Sequence, residues 1–128
     1  MSSEQLAIGD IVTGIYKTGK YIGEITNIRP AHYVVRVLSV LKHPTQGDLH
    51  NPKETEGVFF HERRALAFRE QTNIPQTMVK RYEGDVIEYK ESLRTALEKQ
   101  ADSLREDGSE WATKCLENLQ TLATEYKL

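Results

Sequence analysis

Side chains able to bind a metal or move a proton crowd into one stretch of the chain: His43, Asp48 and His50 share a loop, and His61 with Glu62 follows closely. Imidazole nitrogens and carboxylate oxygens are ligands that zinc and other transition metals accept with a coordination position left open, as a metal-dependent hydrolase needs. The spacing matches no zinc-binding pattern, however, and nothing in the sequence draws His61 to the loop. Solvated loop histidines with structural hydrogen bonds are the simpler reading, and no metal or other cofactor is expected. Arg63 and Arg64 beside Glu62 offer different chemistry. A guanidinium holds a carboxylate by two parallel contacts, which serves an internal ion-pair seam or a patch facing a partner. His43, Asp48, His50, His61, Glu62, Arg63 and Arg64 are therefore the candidate partner-binding set, with Pro44 and Pro52 limiting the entropy that the loop would lose on binding.

Signs of an enzyme are missing from the sequence. Tyr16-Lys17-Thr18-Gly19-Lys20 reads as a hairpin turn and lacks the glycine spacing of a phosphate loop; there is no nucleophile elbow and no zincin helix. The formal net charge of −2 provides no basic excess for nucleic acid or an anionic membrane. Arg63, Arg64, Arg69, Lys80 and Arg81 could still build a nucleic-acid-binding barrel surface, but Glu62, Glu70, Glu83 and Asp85 are interleaved with them. A single cysteine, Cys115, excludes an internal disulfide and suits a reducing cytoplasm. No apolar run is long enough to span a membrane, and the first residues lack the pattern of a signal peptide.

The elements that must position these groups change character midway. Residues 11–17, 21–28 and 32–41 are rich in β-branched and aromatic residues and read as a three-strand meander. Thr18-Gly19 supplies a glycine for a tight turn and Pro30 fixes the second corner. Gly14 and Gly23 inside the first two strands mark bends, bulges or close backbone approach. From Tyr33 to Leu41 apolar residues occupy both parities, so one face should meet the barrel interior and the other a helix. A short strand at 57–61 and core positions for Phe59, Phe60, Leu66 and Phe68 complete the expected barrel. Pro75, the spacing of Ile74, Met78 and Tyr82, and Gly84 as a stop predict a short helix. Two longer stripes follow. Val86, Tyr89, Leu93, Leu97, Ala101 and Leu104 line one helix ending at Asp107-Gly108; Trp111, Cys115, Leu119, Leu122 and Tyr126 line a last helix capped by Asp107 or Ser109.

The predicted class is thus α+β: an SH3-like, partly open β-barrel of about five strands, then a short helix and a C-terminal antiparallel helical hairpin. The barrel is assigned to residues 1–70 and the helical region to 71–128, the two expected as one structural unit.

The run Phe59-Phe60-His61-Glu62-Arg63-Arg64-Ala65-Leu66-Ala67-Phe68-Arg69-Glu70, with Gly9-Asp10-Ile11-Val12-Thr13-Gly14, the proline loop and the terminal Glu125-Tyr126-Lys127-Leu128, resembles the kinase-associated protein B family. The resemblance implies a non-enzymatic accessory protein that associates with a membrane-bound sporulation sensor histidine kinase and supports its signalling into a phosphorelay. It implies no catalytic residue. Members have been described as lipoproteins, yet this chain shows no lipid-attachment cysteine near its start, so the expectation is a cytoplasmic protein reaching the membrane through its kinase partner.

Overall fold

The computed structural model describes residues 5–47 and 62–128. Strands β1 (Ile11–Tyr16), β2 (Gly19–Ile28) and β3 (His32–Lys42) form the expected antiparallel meander. The first turn takes its positive φ at Lys17, where glycine at position 19 was the expected residue. Gly19 serves another purpose: a Cβ there would lie 2.5 Å from the Tyr21 hydroxyl, so its bareness makes room for that ring.

The remaining strands lie where a helix is expected. β4 (Gln71–Pro75) pairs with β3, a three-residue 3-10 turn (Gln76–Met78) follows, and β5 (Val79–Arg81) pairs with β1. The sheet order is β4-β3-β2-β1-β5, so two strands adjacent in sequence sit at opposite edges of one sheet. A connection this short can join them only if the edges curl toward one another, and this produces the partly open barrel. Pro75 thus ends a strand, and the sheet extends in the chain as far as Arg81. The strand expected at 57–61, with Phe59 and Phe60, lies outside the described residues.

Two glycines permit the curl. A Cβ on Gly14 would come within 2.7 Å of Ile74 Cδ1, where β4 folds over β1. On Gly23 it would lie 2.5 Å from the Arg36 carbonyl oxygen, beside the point where Leu38 is skipped between the pairs Ile22–Ser39 and Gly23–Val37. Along its length β3 serves two cores in succession. Tyr33 and Val35 join Val12, Ile25, Ile74 and Val79 inside the barrel, whereas Val37 and Val40 pack with Leu93 and Ala96 of the first helix.

That helix, α1 (Tyr89–Asp107), is capped at its start by Glu88, whose carboxylate accepts from the Lys90 and Glu91 amides, and ends on Gly108 at φ 68°. Ser109 accepts from the Ala112 amide and starts α2 (Glu110–Tyr126). Leu97, Ala101 and Leu104 of α1 meet Ala112, Cys115 and Leu119 of α2 in a second core. The hairpin therefore forms as its stripes require, and β3 is the strand on which it rests.

Alanine at Gly23 should cost about 2–3 kcal/mol in urea unfolding, because the added carbon meets backbone. Alanine at Gly14 meets only the tip of the Ile74 side chain and should cost about 1 kcal/mol or less.

Candidate functional site at the barrel–hairpin junction

Between the barrel and the hairpin runs a segment, 62–67, that belongs to no helix or strand. Its backbone groups need partners, and side chains from separate elements supply them. The Arg63 amide donates to Gln46 Oε1 (2.9 Å), and Gln46 Nε2 donates back to the Arg63 carbonyl (2.8 Å). The Ala65 amide donates to the Tyr126 hydroxyl of α2 (2.9 Å) and the Leu66 amide to the Tyr21 hydroxyl of β2 (3.2 Å). Tyr89 of α1 donates its hydroxyl to the Leu66 carbonyl at 2.5 Å. Burial pushes the Tyr21 phenol up to about 12 and raises those of Tyr89 and Tyr126 as well, so all three are neutral at physiological pH.

His43, expected in a solvated loop, is fully buried here. Its Nδ1 lies 3.0 Å from the Pro44 carbonyl and its Nε2 3.0 Å from the Tyr126 hydroxyl. A carbonyl only accepts, so Nδ1 carries the proton and Nε2 accepts from Tyr126. Tyr126 is left with a lone pair for the Ala65 amide, and the chain of bonds closes with a neutral imidazole. Both ring nitrogens are thereby engaged within the protein, which removes His43 from the metal-binding reading. Among the described residues no three His, Cys, Asp or Glu side chains gather into a metal-binding group.

The other members of the candidate set separate. Arg63 is half-buried and its Nη1 donates to the Gly47 carbonyl, so it secures the chain after β3. Arg64 is exposed and pairs with Glu125 of α2. Glu62 is exposed. Asp48, His50 and His61 lie outside the described residues. The structure thus brings His43 and Arg63 together as parts of one internal junction and leaves Arg64 and Glu62 on its surface.

What the sequence reading missed lies immediately beside Arg64. Phe68 is 53% exposed, so its expected core position is not observed; it tilts against Tyr89 with ring centroids 5.7 Å apart. Val86 was expected in the helix stripe, yet it precedes α1 together with Ile87, and both are exposed. These three side chains, with Leu38, Ala65 and Leu93 deeper in, line a groove of about 590 Å³. Arg64, Glu70, Glu88 and Lys90 ring it with both signs of charge. The Ile87 carbonyl is held by the Ser39 hydroxyl at 2.5 Å, which fixes the connection along the groove wall to β3. The available signal was the placement of Val86-Ile87 directly before a helix-capping Glu88, outside any helical face.

Barrel, hairpin and open junction define the class: an SH3-like barrel extended by a helical hairpin, with an apolar groove where the two meet. The chain belongs to the kinase-associated protein B family, whose sequence profile matches residues 16–127. It is 60% identical over 118 residues to the kinase-associated lipoprotein B of Bacillus subtilis (strain 168), which spans 92% of each chain. It is also similar to the crystal structure of kinase-associated protein B from Bacillus cereus. That match has a TM-score of 0.83 and 57% identity, covering 97% of this chain and 100% of that one. The word lipoprotein belongs to the first relative's name. Here Cys115 is buried inside α2 with its thiol pushed up to about 11, and no helix among the described residues is long and apolar enough to cross a membrane.

Desolvation holds the His43 imidazole below its ordinary value of 6.5, so the unfolded chain binds more protons than the folded one as pH falls through that value. Stability should therefore be greatest above pH 6.5 and decline below it. His43→Gln should cost about 1–2 kcal/mol at neutral pH and flatten this acid-side decline, as urea unfolding at a series of pH values would measure.

Proposed function

We propose that this protein is a non-catalytic accessory module that binds the cytoplasmic part of a membrane-bound sporulation sensor histidine kinase and supports its signalling into a phosphorelay. Membership of the kinase-associated family supports a kinase as partner. The observation that carries the reading is the groove itself: Phe68, Val86 and Ile87 are large apolar side chains exposed together at one place. A contiguous apolar patch with a polar rim is the usual mark of a protein contact, and an aromatic anchor beside an arginine is the usual composition of its centre. Arg64, which lines the groove, is the member of the original candidate set that would share that contact, whereas His43 and Arg63 act by holding the segment that presents it.

To change signalling, the module must bind one state of the kinase more tightly than another; equal affinity for both would shift nothing. The mixed charges around the groove suit a protein surface better than a polyanion. Arg64 is paired with Glu125 and Arg81 with Asp10 at 3.4 Å, so two of the five cations that a nucleic-acid interface would use are already matched by carboxylates.

Titration of the protein into the purified cytoplasmic portion of the sensor kinase from the same organism should give saturable heat. Phe68→Glu combined with Ile87→Glu should weaken that binding about tenfold or more. Both residues are exposed, so unfolding should change by only about 0.5 kcal/mol per site. Wild-type affinity in the double variant would remove the groove from the interface.

A further inference from the structure

A second groove, of about 440 Å³, opens on another part of the hairpin, between the end of β3, the third to fifth turns of α1 and the start of α2. Its character differs from the first. Leu41, Ala96, Leu104 and the half-buried Trp111 supply apolar walls. The polar groups at its base are already used. Gln100 Nε2 donates to the carbonyls of His43 (2.8 Å) and Pro44 (3.2 Å); Gln46 is spent on Arg63 and Pro44; His43 is bonded at both nitrogens. The donors of Gln100 and Gln46 and both nitrogens of His43 are thus spent within the protein, which leaves the apolar walls as the main surface for a ligand.

The rim is where selection would occur. Lys42 and Lys99 are both exposed lining residues, and among the described residues no carboxylate lines the groove. Among the described residues neither ammonium takes part in an ion pair. This is an excess of one sign in a chain whose overall charge is −2. The first groove, by contrast, balances Arg64 and Lys90 with Glu70 and Glu88. The volume falls at the lower end of the range of roughly 300–1,000 Å³ usual for small-molecule sites, which combine apolar walls with a few polar groups that orient the ligand.

We infer that the Trp111 groove is a binding site for a small amphiphilic carboxylate, its apolar chain lying on Leu41, Ala96, Leu104 and Trp111 and its carboxylate held at the rim by Lys42 and Lys99. The site is separate from the proposed kinase contact, and its occupancy stands or falls independently of that reading. The ammonium groups act as flexible point charges, so they select for a negative head group without demanding one shape of chain.

Trp111 is the chain's single tryptophan, so its fluorescence reports the groove directly. The test titrates the full-length protein at low ionic strength with decanoate and, separately, with decanol, which has a comparable chain but no charge. The expected result is a saturable change in Trp111 emission with decanoate at least tenfold tighter than decanol. Lys42→Gln with Lys99→Gln should erase that advantage while leaving the alcohol's affinity as it was. Equal affinity for acid and alcohol, absence of a saturable response to decanoate, or an acid preference that survives both substitutions would overturn the proposal. The comparison of the two ligands on the unsubstituted protein decides the matter even if the variant folds poorly.

Discussion

The structure depends on how six residues without secondary structure satisfy their backbone. Segment 62–67 passes between two apolar bodies, where an unpaired amide or carbonyl would cost about 1–3 kcal/mol. Among the described residues no strand pairs with it to provide a ladder. Gln46 instead forms a two-bond pair with Arg63, and the hydroxyls of Tyr21, Tyr89 and Tyr126 take the amides and carbonyl that follow. Each partner comes from a different element, so the segment is in place only when barrel, loop, α1 and α2 are all in place. His43 extends the same logic by one bond, since its neutral ring orients the Tyr126 hydroxyl.

β3 unites the two bodies from the other side. Its outer edge is covered in succession by β4 along residues 32–36, by the turn through Arg69 and Glu70 at Val37, and by the Ser92 hydroxyl of α1 at Val40. An edge this long would otherwise invite pairing with another chain. Tyr33 and Val35 of this strand enter the barrel core and Val37 and Val40 the helix seam, so the two share a single support. The groove arises where that cover is thinnest, between the turn carrying Phe68 and the connection carrying Val86 and Ile87.

Much of this was legible from residue patterns. Apolar residues of both parities from Tyr33 to Leu41 correctly required two packing partners for β3, and the stripes of α1 and α2 met as their spacing demanded. The region 71–84 was misread for a physical reason. Residues four apart, such as Ile74, Met78 and Tyr82, share a face in a helix but also share parity in a strand, and a proline suits the end of one as well as the start of the other. The candidate site was only partly legible. Histidine and arginine at 43 and 63 signalled a place of consequence, but nothing local showed that they face inward, because their partners Tyr126 and Gly47 are brought to them by the fold. The apolar groove escaped because Phe68 looks like core until its neighbours are known.

Three of the six tyrosines meet at the junction, and each keeps its proton well into alkaline solution. Phenolate absorbs at longer wavelength than phenol, so a base titration followed in the ultraviolet would show these three only when the seam between barrel and hairpin parts. The molecule therefore carries its own optical gauge of that seam's opening, built from the same hydroxyl groups that hold it shut.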